Sequence, residues 1–549
     1  MDSILPDVQP RALNGPLTVD ELLKTLRDCN YLRVSSQEAS QYIQDAHHDL
    51  NLFENHIQHI RARQATLKRD ITRYGSLHAP ARKIPPEVLR RMFGFASGQS
   101  MFARGYANKV GWSSMIFRIS SVCSRWRDVA VHSPELWADM CFDLDERAKD
   151  PVQLSLARAH THPLSLEVKG GSNETQARTE LLLLLKKNSS RLSHLDLQGF
   201  CPDLLENFGS TPILESIQCD GLVVDDILAE CIPHAPRLHQ IMYCMSDWVS
   251  FESMSFLPRT VRHFEMEHDG SSTLFSLFDA MRNTPMLEFL VYTGAAIYDS
   301  GEPFQTSDED LECVVSNMTS LTIQQWGAEG FFALVSHLLR GSTLPHLKHL
   351  TIDFAGADEF RTNTDKVFEG QWPRPELHVF LKRSGCNLTT LSLKGLPLPE
   401  NDVLALLEYT PSLHSLTLHE FLFGEDLARF EHLPPKLHKT VTKTFLRHLE
   451  ATTFSVDAFS VQHSILPKLK YLELKVQSHF DADEMFVDVV QSRWNRATGD
   501  LCSINMERLR TVVLYVAGRE LAETIYEPLR RVDEAGMMVS VFGDGKRIV

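Results

Sequence analysis

One phrase recurs along the C-terminal two-thirds of the chain: apolar-x-x-apolar-x-apolar, often just after a proline. It reads Leu192/Leu195/Leu197, Leu214/Ile217/Cys219, Leu238/Ile241/Tyr243, Leu287/Leu290/Tyr292 and Met318/Leu321/Ile323. It continues as Leu347/Leu350/Ile352, Leu388/Leu391/Leu393, Leu413/Leu416/Leu418, Leu469/Leu472/Leu474 and Leu509/Val512/Leu514, with a degenerate copy at Val261/Phe264/Met266. First positions lie 22 to 31 residues apart for most neighbours, and gaps of 41, 56 and 40 imply insertions or missed units. The closing apolar-x-apolar triplet has the period of a strand. Between copies come helical patterns: Ile227, Leu228 and Cys231; Leu274, Leu277, Phe278 and Met281; Val403, Leu406 and Leu407. A unit of one strand and one helix cannot bury its apolar side alone, so neighbouring units must stack.

The spacing is that of leucine-rich repeats, and it predicts an α/β body: a curved solenoid with parallel strands on its concave face. Alternation then sorts core from surface. The middle residue of each triplet, and the one after it, point outward. Asp196, Gln218, Glu265, Thr351, Lys394, His419 and Lys475 are therefore candidates for binding a target protein. The early strands of this set are rich in acid, which suits a target with a basic face.

Ahead of the repeats, Thr18 with Glu21 and Ser35 with Glu38 are capping-box pairs that mark helix starts. Ile43, Ala46, Leu50, Phe53, Ile57, Ile60, Gln64, Leu67, Ile71 and Tyr74 follow at alternating spacings of three and four. That is the a/d seam of a coiled coil and allows a homodimer; one long amphipathic helix lying on the protein's own surface is the alternative. Gly75 is the expected helix end. Residues 61–91 hold nine Lys/Arg against Asp70 and Glu87. A basic-zipper DNA reader carries its basic stretch before the heptads, whereas here it overlaps and follows them.

Ile84-Pro85-Pro86-Glu87-Val88-Leu89 with Met92-Phe93 comes next, then Val122-Cys123-Ser124-Arg125-Trp126-Arg127, then Leu136-Trp137. The prolines suit a helix start, and Ile119, Val122, Cys123, Trp126, Val129 and Ala130 predict a second helix with one apolar stripe. In that order the three pieces resemble an F-box, and the coiled-coil lead-in resembles fungal members of that family. The resemblance implies a small all-α module that docks a Skp-type adaptor and, through it, a cullin. It implies docking contacts from Ile84, Pro85, Leu89, Phe93, Val122 and Trp126.

The expected organisation is a tail over 1–35, a coiled-coil helix over 36–76, an F-box over 77–140 and a leucine-rich-repeat-like domain over 141–549. The expected function is a non-catalytic, substrate-recognition adaptor of a cullin-type (SCF) ubiquitin ligase. A repeat scaffold whose F-box does not engage the ligase is the alternative. A net charge of −16 opposes binding to nucleic acid or an anionic membrane. Ten cysteines without a Cys-x-x-Cys pair, and no basic-then-apolar leader, point to the cytoplasm or nucleus. No cofactor or metal is expected: His47-His48 and His56/His59 stand on the long helix without a Cys partner. Gly543-Asp544-Gly545-Lys546 lacks the following Ser/Thr and helix of a phosphate-binding loop, so it reads as a turn. Cys123 on an apolar stripe reads as core, and Ser307-Asp308-Glu309-Asp310 as a helix start.

Overall fold

The computed structural model describes residues 10–12, 15–28, 35–77, 79–96, 115–144, 149–170, 176–198, 210–220, 234–244, 257–268, 273–294, 313–325, 331–354, 374–396, 398–420, 439–450, 465–495 and 506–549. The helical pattern expected at Ile227, Leu228 and Cys231, and the helix start expected at Ser307, lie outside these residues. The chain divides into two compact units, Met1–Met92 and Phe93–Val549.

In the first unit, helix α1 (Val19–Arg27) opens with a complete Thr18/Glu21 capping box. Helix α2 (Ser36–Leu77) opens likewise: the Ser35 N–H donates to Glu38 Oε2 and the Glu38 N–H to Ser35 Oγ. Forty-two residues run without a break, straight through Gly75. A Cβ on Gly75 would meet nothing within 4 Å, so neither packing nor backbone geometry makes it a stop. The heptad positions Ile43, Leu50, Phe53, Ile57, Ile60, Leu67, Ile71 and Tyr74 are all exposed. Asp49 is the exception on this helix: it is buried, and its carboxylate accepts the Ala12 N–H at 2.7 Å, which holds its pKa below the usual range.

The second unit is built on one fifteen-stranded sheet. Its strands are β1 (Asp139–Asp143), β2 (Leu164–Lys169), β3 (Leu192–Gln198), β4 (Ser216–Asp220), β5 (Gln240–Cys244), β6 (His263–His268) and β7 (Phe289–Gly294). A two-residue β8 (Val314–Val315) pairs only with β10 (Ser342–Thr343), outside the main sheet. Then follow β9 (Ser320–Gln325), β11 (His349–Phe354), β12 (Thr390–Leu396), β13 (Ser415–Glu420), β14 (Tyr471–Val476), β15 (Thr511–Val516) and β16 (Met538–Gly543). Each pairs in parallel with the next in chain order, and only β17 (Lys546–Arg547) closes antiparallel, on β16. Strand order equal to chain order is the arrangement of a repeat solenoid, because each repeat touches only its neighbours. The degenerate phrase at Val261 is a full member, as β6.

Register carries the apolar pattern across every pair. Leu195, Ile217, Ile241, Phe264, Leu290, Leu321, Leu350, Leu391, Leu416, Leu472, Val512 and Val539 stand side by side, and all are buried. Their neighbours two residues on, from Leu197 to Val541, form a second buried ladder. Helices between the strands stack on one another in turn, as with Lys443–Leu449 on Asp483–Asn495 and that helix on Glu523–Glu534. Gly395 marks the one irregular step between β12 and β13, with φ +63°, and a Cβ there would lie 2.4 Å from the Phe354 carbonyl oxygen. Only glycine fits that approach. At the far end, Asp544 and Gly545 both have positive φ and make the tight turn between β16 and β17, so the Gly543–Lys546 stretch is a hairpin tip.

Two buried polar groups tie successive repeats together where insertions fall. Arg493 is 2% exposed and donates Nε to the Leu449 carbonyl and Nη1 to that of Leu466. Burial pulls its pKa down to about 10. Glu420 accepts the N–H groups of Thr440, Val441 and Gln477. Arg493→Met removes the donors and strands two carbonyls. It should destabilise the body by about 2–5 kcal/mol in denaturant titration, more than a neutral hydrogen-bond loss.

Candidate functional site

Two surfaces present side chains to solvent in an ordered way. The first is on the helices of the motif region. Helix α3 (Pro86–Ala96) has two apolar stripes. Leu89 and Phe93 are buried, at 0% and 2%. Val88, Met92 and Phe95 are exposed at 46%, 47% and 79%, and with exposed Pro85 just ahead they follow the 3-4-3 spacing of one helix face. Both side chains are buried and so lie off the exposed stripe. Ile84 is half-buried.

The second helix expected from the sequence is two helices, α4 (Met115–Val122) and α5 (Ser124–Val131). Cys123 breaks them: its backbone is extended and its Sγ accepts the Trp126 N–H as an N-cap. The thiol is thus a cap at half burial rather than a core residue. Val122, at the end of α4, is 61% exposed. Trp126 is half-buried and packs on Phe93 with ring centres 5.0 Å apart. The fully buried indole is Trp137, on the short helix α6 (Glu135–Ala138) that runs directly into β1. Its Nε1 donates to the Ala130 carbonyl at 2.7 Å, Phe117 meets it edge-on at 5.3 Å, and the Arg158 guanidinium lies 4.2 Å from its ring centre. Helices α4 and α5, the first strand and the helix after it are pinned by this one side chain.

The second surface is the outward face of the sheet. Asp196, Gln218, Glu265, Thr351, Lys394, His419 and Lys475 all stand there, half-buried, between the buried ladders. Register splits them into two cross-strand rows. Asp196, Gln218, Glu265 and Thr351 share the row of Glu473, whereas Lys394, His419 and Lys475 share that of Tyr515 and Phe542. Glu167, Asp196, Glu265 and Glu267 make the early face acidic, while the late face is mixed. There Lys394 Nζ donates to Asp353 Oδ2 at 3.2 Å. His419 Nε2 lies 2.9 Å from Glu473 Oε1, and the Tyr471 hydroxyl donates to Glu473 Oε2 at 2.5 Å. The His419 bond does most to hold Glu473 below the usual carboxylate range, against the effect of burial. Burial, and then the hydrogen bond to Glu473, push the Tyr471 hydroxyl up to about 12. Among the described residues no group of three His, Cys, Asp or Glu is placed to hold a metal ion. No described helix is long and apolar enough to cross a membrane.

Two outcomes follow. A carboxylate whose folded pKa is depressed stabilises fully above its unfolded value, here near 4.5, and loses that contribution as pH falls below it. Wild-type protein should therefore lose more thermal stability between about pH 5 and 3 than Glu473→Gln does, read by melting at each pH. Trp137→Ala should cost ~3–5 kcal/mol in denaturant titration, and half-buried Trp126→Ala clearly less.

No curated protein matches the chain. Among solved structures, the crystal structure of a Bacteroides fragilis protein, a structural-genomics target, aligns over 68% of this chain and 84% of that one. Identity is 12% and the TM-score 0.28, too low a likeness to carry an argument. The profile of the F-box-like family matches residues 81–143, from just before α3 to the end of β1. That stretch is an F-box-like domain, and its last strand is the first strand of the parallel sheet.

Proposed function

We propose that the chain is a non-catalytic, substrate-recruiting subunit of a cullin-type (SCF) ubiquitin ligase in the cytoplasm or nucleus. The F-box-like domain docks a Skp-type adaptor, which joins it to the cullin, and the outward face of the leucine-rich-repeat body holds a target protein. The observation that carries this reading is the exposed stripe Pro85, Val88, Met92 and Phe95 within the F-box-like match. Large apolar side chains in a row on one helix cost free energy in water and are the usual mark of a partner surface. Val122 is exposed in the same way on α4. Leu89 and Phe93 are buried and are not part of this exposed stripe.

A second copy of the chain is the occupant that best suits the α2 seam. In a parallel pair Asp49 would face Glu54 of the second copy, and Arg63 would face its Lys68, like charge against like. An antiparallel pair centred between Ile57 and Ile60 sets Glu54 against Arg61 twice and places Ala46 opposite Ile71. Its Asp49–Asp70 contact is eased because the Arg11 and Ala12 amides already hold the Asp49 charge. The full chain should be a dimer by light scattering. Glu54→Arg should weaken it, and adding Arg61→Glu should restore it, an outcome that a parallel pair does not give.

For the ligase reading, Met92→Asp should lower co-purification of Skp adaptor and cullin by about tenfold or more at unchanged melting temperature. Leu89→Ala should instead destabilise the domain by ~2–5 kcal/mol. Undiminished adaptor capture by Met92→Asp would defeat the assignment of this stripe.

A further inference from the structure

We infer that the outward face of strands β12–β16 is the target's anchoring point, and that it holds an extended peptide segment with an anionic group about three residues from an aromatic or large apolar side chain. This rests on the reading that the repeat body binds a protein target, and it names the chemistry of that target.

The inference comes from one cross-strand row. Lys394, His419, Lys475, Tyr515 and Phe542 are register partners on five consecutive strands. Their positive charges are not equivalent. Lys394 is engaged by Asp353, and His419 by Glu473. Lys475, half-buried at the centre of the row, has no ion-pair partner within 4.0 Å among the described residues. Glu473, two residues away on the same face, is not within 4.0 Å of its ammonium and is engaged instead by His419 and Tyr471. An ammonium on a half-buried side chain, without an ion-pair partner among the described residues, gains most from a carboxylate or phosphate brought to it.

On the next two strands the row turns aromatic. The Tyr515 and Phe542 rings stack at 4.6 Å with 10° between their planes, and Met538, four residues before Phe542 on the same face of β16, is 66% exposed. On the early strands the same row is Lys169, Gln198, Glu267, Thr293, Gln324 and Asp353, without a ring. The lone cation and the apolar platform thus meet only at this end of the described sheet. Strands lie ~4.8 Å apart, so Lys475 and Phe542 are separated by ~10 Å, about three residues of extended peptide crossing the strands.

The test is a selection of displayed random peptides on the full chain, followed by fluorescence anisotropy with synthetic versions of the enriched sequence. Peptides with Asp or Glu about three residues from Phe, Tyr, Trp or Leu should be enriched. Lys475→Ala and Tyr515→Ala should each weaken binding by about tenfold at unchanged melting temperature, and Lys475→Arg should bind nearly as wild type. Peptides bearing phosphoserine, aspartate or serine at the anion position identify the source of the charge: either charged form binding better than serine supports the site, and equal binding by all three overturns it. Enrichment without an acidic residue, no enrichment at all, or full binding by Lys475→Ala also overturns it. Self-association of the chain that is lost in Lys475→Ala would assign the face to a second copy instead. The selection needs no adaptor, so its failure is distinct from failure of the ligase reading.

Discussion

The fold depends on two unbroken ladders of buried side chains, one through Leu195, Leu290 and Leu416 and the other two residues further along each strand. In a parallel sheet whose strand order follows the chain, no distant segment closes the core. Each strand buries its apolar residues only against the strands before and after it and the helices between. A one-residue slip anywhere would turn a whole ladder to water, so register is held repeat by repeat. That is why insertions between strands are tolerated at several places while the paired segments keep the same few residues in line. Arg493 and Glu420 show how polar groups serve this arrangement. They take up backbone groups beside the long inserted segments that the ladders cannot reach.

The same logic explains which parts were legible in the sequence. Most strands that follow the full phrase announce themselves, because an apolar residue three positions ahead of the triplet is also needed for packing; β1, with Trp137/Met140/Phe142, is hidden because its phrase overlaps the closing Leu-Trp of the F-box-like stretch. β2 and β16 do not carry it in full. Leu164, Leu166 and Val168 alternate correctly, but the position three before Leu166 is Pro163, and the position three before Val539 is Gly536. Alternation over so short a run cannot be told from other structure. The motif helices were legible as elements and illegible as surfaces. Helix α3 offers two stripes of comparable apolarity, Leu89/Phe93 and Val88/Met92/Phe95, and only the packed structure decides which faces inward. Cys123 likewise continued an apolar stripe on paper, yet its extended backbone makes it the cap that starts a new helix.

The boundary expected at residue 140 falls inside β1, and the reason is physical. Trp137 must be buried, its indole N–H must find an acceptor, and both needs are met by the end of helix α5 and the start of the sheet. A four-residue helix cannot stand alone, so α6 exists as the bridge between them. The closing Leu-Trp of the F-box-like domain is therefore also the first course of the repeat body. Helices α4 and α5 and the long sheet are then one continuous packing arrangement, not two domains on a hinge. The sheet therefore continues directly from the last helices of the F-box-like domain, with no linker between them.

Within each strand the two kinds of position carry different demands. Ladder positions accept little besides large apolar residues, since a cavity in one repeat is felt by both neighbours. The intervening outward positions are free of that demand, and they vary from acid on the early strands to Lys475, Tyr515 and Phe542 on the late ones. Their backbone is nevertheless as rigid as the ladders beneath, so any side chain placed there is held at fixed spacing from its cross-strand neighbours. Side chains can therefore change at these rows at small cost to stability. The outward rows thus form a surface whose geometry the hidden leucines have already determined.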